Sequence, residues 1–249
     1  MKNYILIFIL GGFFCINIAQ AQDKSEGVIS YDRTLDYYKL SSSLNFMSKE
    51  ELDRLKMTYK EPYIEKYKLY FGKEQSLFTY DDDDNRATDS RYAWRQQEYA
   101  IYRNYATQTK QDLIETLGKT YIIEDSLRAI DWKIMNEVKT IAGYVCMKAL
   151  AQDSLNKQNI VAWFTDAIPT TAGPERLCGL PGAILEVNIN DGTLIIKAQK
   201  MVFKPVAEQL KVGKLKGKKI NDKIYNDLII KHIVNSEKAQ RNPYWSIRY

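Results

Sequence analysis

Histidine is almost missing from this chain: His232 is the single one in 249 residues. Imidazole is the usual proton shuttle near neutral pH, so a Ser-His-Asp or Cys-His arrangement would have to be built on that one side chain. No serine or cysteine sits in a recognisable strained elbow that would serve it. Cysteine is scarce as well, with Cys15, Cys146 and Cys178 the full set. None forms a Cys-x-x-Cys pair, and the chain has no methionine-rich run and no His-x-His. Cys146, Met147, Cys178, Met201 and His232 are of the types that hold copper or zinc, but their spacing lends a metal site no support. Long apolar runs are absent beyond the first residues, and even that run is shorter than the roughly 20 residues that cross a bilayer. Neither sign of charge dominates: 36 basic and 31 acidic residues leave +5, and the signs alternate along the chain. A nucleic-acid surface gathers its Lys and Arg on one element, usually at a pI above about 9, so that class of partner is excluded.

What is present begins with an export signal. Lys2 precedes an apolar run over residues 4–18 and the small-residue pattern Ala19-Gln20-Ala21. This predicts a signal peptide over residues 1–21 and a single exported domain over 22–249, in the periplasm or outside the cell. A lipoprotein reading would cut before Cys15, yet that cleavage needs a small residue where Phe13 and Phe14 stand. Clipping after Ala21 takes one lysine from the formal +5, so the mature chain carries +4 and keeps two cysteines. In an oxidising compartment Cys146 and Cys178 are candidate disulfide partners, provided the fold brings their Cα atoms within about 7 Å. No composition break or repeat marks a second domain.

Hydrophobic spacing predicts a mainly β (α+β) fold. Ile29, Tyr31, Leu35 and Tyr37 alternate with Ser30, Asp32, Thr34 and Asp36, the period-two pattern of a half-buried strand. Ser48 and Glu51 form a capping box ahead of Leu52, Leu55 and Tyr59, which predicts a short surface helix in the N-terminal half. Tyr67, Leu69 and Phe71, a break at Gly72 and a second run over 76–80 read as a hairpin ending in an exposed aspartate turn. Strand-like runs follow at 99–105, 112–117 and 119–124, with Gly118 as the turn between the last two. Trp132, Ile134 and Val138 share a face, and Gly143 opens a run over 144–150. Leu185, Val187 and Ile189 alternate with Glu186 and Asn188 up to Asp191-Gly192, and the partner run is 194–203. Asp-Gly there predicts a tight type I′ turn with positive φ at both central residues. Behind Asn221 or Asp222 as N-cap, Ile224, Tyr225, Leu228, Ile229 and Ile233 fall at helical spacing, a C-terminal amphipathic helix. Many strands joined by short turns favour a single curved antiparallel sheet or half-open barrel, its concave face covered by that helix.

The segment KTIAGYVCMKA (139–149), then AWFTDAIP (162–169), Gly173-Pro174 and GLPGAILE (179–186) resembles the GLPGLI family of secreted Bacteroidota proteins in order and spacing. Asp131-Trp132-Lys133 upstream fits the same pattern, and Ala183 stands where the family usually has leucine. The resemblance implies a β-rich envelope protein of unestablished biochemical role, with no catalytic residues to carry over. The motif also has a purely structural reading. Pro181 fixes φ at the first central position of a turn and Gly182 supplies positive φ at the second, a type II turn that launches the strand of Leu185, Val187 and Ile189.

Other candidate chemistry is thin. Asp81, Asp83 and Asn85 occupy the first, third and fifth places of an EF-hand loop, but Arg86 stands where glycine is needed and Tyr92 where glutamate is needed. Glu186 alternates outward from its strand and reads as solvent-facing. The stretch 167–182, with three prolines, three glycines and Arg176 in sixteen residues, is where recognition would be sought, because long ordered loops on a rigid sheet carry binding. Candidate binding residues are Trp163, Phe164, Arg176, Leu180, Pro181 and Gly182; the plainer reading is a rigid crossover covering the end of the sheet. No catalytic residue, metal ligand or cofactor is assigned. The expected role is a non-catalytic binding or accessory module in envelope transport or assembly. Its partner would be an envelope protein or an apolar or peptide ligand, with no integral membrane span in the domain. The alternatives are a periplasmic hydrolase and a copper- or zinc-handling protein. An open apolar hollow would favour a carrier, and a hollow filled by side chains an interaction scaffold.

Overall fold

The computed structural model describes residues 23–81, 98–153 and 157–249. Among these, twelve strands form one mixed sheet. They are β1 Gly27–Leu35, β2 Tyr63–Phe71, β3 Gln75–Tyr80, β4 Tyr99–Asn104, β5 Thr109–Thr116, β6 Lys119–Ser126, β7 Lys133–Ile141, β8 Tyr144–Asp153, β9 Gln158–Thr165, β10 Ala183–Ile189, β11 Leu194–Val202 and β12 Lys218–Ile220. Their order across the sheet is β12-β6-β5-β4-β3-β2-β1-β11-β10-β9-β8-β7. Two meanders therefore meet at β1, which pairs with β2 on one side and β11 on the other, both antiparallel. The expected all-antiparallel sheet becomes mixed at one edge, where the three-residue β12 lies parallel to β6. The sheet ends at β12 and β7 without closing into a barrel. It is nevertheless strongly curved: Tyr99 and Ile114 from one wing line the same cavity as Ile160 and Ile189 from the other.

Among the described residues three helices accompany the sheet: α1 Tyr37–Ser42, α2 Lys49–Thr58 and α3 Asp222–Lys238. Tyr37, which period two assigns to the first strand, opens α1, because Asp36 turns aside as N-cap and accepts from the Lys39 N–H at 2.9 Å. Both halves of the α2 capping box form, Ser48 Oγ accepting from Glu51 N at 3.2 Å and Glu51 Oε2 from Ser48 N at 2.9 Å. No side chain of α2 is buried, as a surface helix requires. Asn221, not Asp222, caps α3, accepting from Ile224 N at 3.0 Å. Tyr225 and Leu228 of α3 pack on the core while Ile229 is buried. A 3-10 turn at Pro243–Trp245 then leads the chain into the hollow of the sheet.

Hairpin corners follow their turn chemistry. Leu117 and Gly118 have φ of 51° and 71°, Ala142 and Gly143 of 47° and 84°, and Asp191 and Gly192 of 51° and 85°. Positive φ at both central residues matches the right-handed twist of the flanking strands, and the Thr193 N–H closes the last turn on Asn190 O at 3.2 Å. The aspartate turn departs from its reading at Asp81, which is buried with Lys68 Nζ at 2.6 Å. Asp83, Asn85, Arg86 and Tyr92 lie outside the described residues.

The Gly-Leu-Pro-Gly segment is not a type II turn. The Gly182 N–H bonds Leu180 O at 2.8 Å, a three-residue turn about Pro181, and Gly182 has φ of 157°, far from the ~80° of a type II turn. Glycine is needed here for close approach, since a Cβ would stand 2.1 Å from Thr165 O at the end of β9. Gly182→Ala is expected to destabilise the fold by about 1–3 kcal/mol through overpacking, and more than Gly179→Ala, where a Cβ meets nothing within 4 Å. Urea unfolding of the two variants is the check.

Candidate functional site

The inward rows of the strands are not purely apolar. Arg33 continues the row of Ile29 and Tyr31, Arg103 that of Tyr99 and Ile101, and Asp112 that of Ile114 and Thr116, with exposures of 3%, 6% and 0%. Glu65 does the same beside Tyr67 on β2. The loop between β9 and β10, tied down by Gly179 N–H to Thr171 O at 2.9 Å and Ala183 N–H to Ile168 O at 3.2 Å, delivers Glu175 and Arg176 into the same hollow. Asp222 from the start of α3 and Arg248 from the C-terminal segment complete the set.

These groups form two clusters joined at the Glu175–Arg176 peptide. In the first, Glu175 accepts from Arg33 Nε at 3.2 Å, from Arg248 Nε at 3.1 Å and Nη2 at 2.5 Å, and from the Tyr99 hydroxyl. Arg33 also donates to Glu65 at 2.8 Å and to the main-chain oxygen of Tyr249 at 3.0 Å. Two acids thus balance two guanidiniums. Glu175 sits at φ 57°, a conformation that persists where surrounding bonds over-determine it. In the second cluster the fully buried Asp112 faces three cations, bonding Arg103 and lying 3.2 Å from Arg176 Nε and 3.8 Å from Lys110 Nζ. Lys110 also reaches Asp222 at 2.5 Å. The Arg176 guanidinium lies over the Tyr225 ring at 4.6 Å.

Burial alone would push both buried carboxyls up. For Glu175, Arg248 and Arg33 outweigh it, and for Asp112, Arg103, Arg176 and Lys110 do so; both end below the ordinary carboxylate range. Held ionised and locked to arginines, they make poor proton donors. A lowered folded pKa contributes stability that is complete above the unfolded value, near 4, and is lost as pH falls through the folded value. The urea midpoint is therefore expected to stay level from about pH 7 to pH 5.5 and to fall steeply below about pH 4.

The residues singled out from sequence fall in different places. Phe164, Leu180 and Gly182 are buried, and Pro181 is exposed. Trp163 is half-buried on the face of β9 opposite Ile160, beneath Lys139 Nζ at 4.3 Å from its ring. Arg176 alone of the six joins the charge network. Glu186, read as solvent-facing, is instead covered, because Lys139 reaches over it at 2.6 Å. His232 ties α3 to the C-terminal segment, its Nε2 lying 3.0 Å from Pro243 O and 3.5 Å from Ser236 Oγ.

The Cys146–Cys178 disulfide is not formed: both thiols are free and buried. Their surroundings are different, Cys146 lying near Lys139 and Glu186, Cys178 near Arg103, Asp112 and Lys110. Burial pushes the Cys146 thiol up to about 11 and raises that of Cys178, which keeps both as unreactive thiols. A water-soluble thiol reagent at pH 8 is expected to leave Cys146 and Cys178 of the folded chain unmodified and to label both once it is unfolded. Among the described residues, no group of three or more His, Cys, Asp or Glu side chains is placed to hold a metal ion.

Fold and site together define a mainly β protein whose curved sheet surrounds an internal network of paired charges. The family described as "Protein of unknown function (Porph_ging)" matches residues 152–186, the stretch from the end of β8 through the Glu175–Arg176 loop into β10. No curated protein matches the chain. Two crystal forms of PNGF-II resemble it with TM-score 0.54 and 16% identity, over 82% of this chain and 33% and 32% of theirs. An uncharacterized conserved protein from Thermus thermophilus resembles it with TM-score 0.39 and 6% identity, over 79% of this chain and 91% of that one. The likeness to PNGF-II is one of fold, and this chain spans about a third of that protein's length.

Proposed function

We propose that this chain is an exported, non-catalytic binding or accessory module of the GLPGLI type, serving envelope transport or assembly. The observation that carries the reading is the filled hollow. Glu175 and Asp112 within it are ion-paired, and the spaces left around the Glu175 cluster measure about 150 Å³ among Tyr99, Arg176, Tyr225 and Arg248 and about 260 Å³ by Arg33, Glu65 and Arg248, below the roughly 300–1,000 Å³ of pockets that hold small ligands; a wider cleft of about 520 Å³ opens beside Arg103 and Lys110. A hollow occupied by the chain's own side chains fits a scaffold better than a carrier, with Trp163 and Pro181 as candidate contacts on the outer surface. Export follows from the leader, and mass spectrometry of the mature N-terminus is expected to find Gln22. The test of the module is crosslinking and pull-down from native envelope with the full mature chain. Capture of a discrete envelope protein, weakened by Trp163→Ala, supports it. Repeated copurification of a lipid would overturn it in favour of a carrier.

A further inference from the structure

The C-terminal segment enters the hollow as a ligand enters a receptor. After Pro243–Trp245 its grip on the sheet is chiefly through side chains, with a long main-chain bond from Leu117 N–H to Ser246 O at 3.4 Å. Ile247 is buried, and Arg248 beside it reaches the charge network. Glu175 takes its Nε at 3.1 Å and Nη2 at 2.5 Å, the two-point match of carboxylate to guanidinium. The Tyr67 hydroxyl accepts from Nη1 at 2.7 Å. The Tyr99 and Tyr67 rings lie 3.9 Å and 4.9 Å from the guanidinium carbon, close enough for cation–π attraction. Every wall of this pocket belongs to another part of the fold: Tyr67 to β2, Tyr99 to β4, Glu175 to the loop between β9 and β10. Each wall is also held from behind. Tyr67 stacks on Phe78 at 4.9 Å, Tyr99 meets Phe78 edge-on at 6.4 Å, and Glu175 is fixed by Arg33 at 3.2 Å. These braces come from outside the segment that fills the pocket, and Arg33 also holds that segment through Tyr249 O at 3.0 Å.

We propose that this pocket is an arginine-recognition site, occupied in cis by Arg248 and open in trans to an arginine side chain of a partner polypeptide that displaces the C-terminal segment. The inference rests on reading the chain as a binding module and names the chemistry its partner presents. Guanidinium is selected over ammonium because a planar fork meets the carboxylate at two points while stacking on the ring faces, and a lysine ammonium cannot do both.

The test uses the full mature chain with Arg248→Ala. N-acetyl-arginine amide at millimolar concentration is expected to raise its melting temperature, N-acetyl-lysine amide to leave it unchanged, and the wild type, already filled, to respond to neither. A heptapeptide of residues 243–249 should bind the variant at least about tenfold more tightly than the same peptide carrying lysine at the arginine position. Equal responses to the two amides, or none, overturn the site. If Arg248→Ala does not fold, Arg248→Lys keeps length and charge and takes the same measurements. Loss of amide discrimination together with a captured envelope partner refutes the arginine site and leaves the module standing, whereas failure to capture a partner removes the module reading itself.

Discussion

Asp112→Ala is expected to be the most damaging single change in this chain, lowering the free energy of unfolding by about 3–5 kcal/mol, the range for stripping one partner from a buried charge pair. Its side chain is wholly buried and faces Arg103, Arg176 and Lys110, of which Arg103 and Lys110 are nearly as enclosed. Without the carboxylate, Asp222 alone offsets three cations. Arginine cannot relieve the strain by losing a proton, so two uncompensated guanidiniums stay in the hollow. Lys110 can, since burial and Arg176 already hold it below its ordinary value. Asp112→Asn keeps the volume and removes only the charge, so it should lose most of the same stability. An exposed pair sets the scale: Lys223 and Asp227 approach to 2.7 Å while mostly exposed, and Asp227→Ala should shift stability by no more than about 0.5 kcal/mol. Urea unfolding followed by far-UV circular dichroism decides it; an Asp112→Ala midpoint within error of wild type would show that the cluster is solvated, not buried.

How far this site is legible in the sequence depends on the range of each interaction. The capping box of Ser48 and Glu51 and the Asp191-Gly192 corner are written within four residues, and both appear where the spacing puts them. The row Ile29, Tyr31, Leu35 is also local, and it places β1. The same row contains Arg33, and an arginine at an inward position of a strand is itself a sign of an internal ion pair, because a buried charge without a partner is not tolerated. Reading the row only for its apolar members passes over that sign, as it does at Arg103 and Asp112. The partners are another matter. Glu175 lies 142 residues from Arg33 and 73 from Arg248, and no spacing rule spans that distance. Proline and glycine mark the loop as unusual, yet the turn of its charges into the hollow depends on β1 standing between the two meanders, a pairing of β1 with β11 that nothing local encodes.

The second large effect falls on Glu175, where glutamine separates charge from shape. Glu175→Gln preserves the backbone at φ 57° and most of the volume, but leaves Arg248 with no acid and Arg33 with Glu65 alone. A loss of about 3 kcal/mol is expected, at the lower end for a broken buried pair because Glu65 still serves Arg33. The consequence should be local as well as global: with its carboxylate anchor gone, Arg248 loses its hold, and residues 239–249 become open to proteolysis under conditions where the wild type resists. Arg248→Ala should open the same segment. Two changes that break one interaction cannot each remove it in full, so the double variant is expected to be more stable than the sum of the single losses predicts, by a coupling of about 1–3 kcal/mol. Strict additivity would mean that Glu175 and Arg248 are neighbours without being partners, and that the C-terminal segment is held by Ile247 and the tyrosines instead.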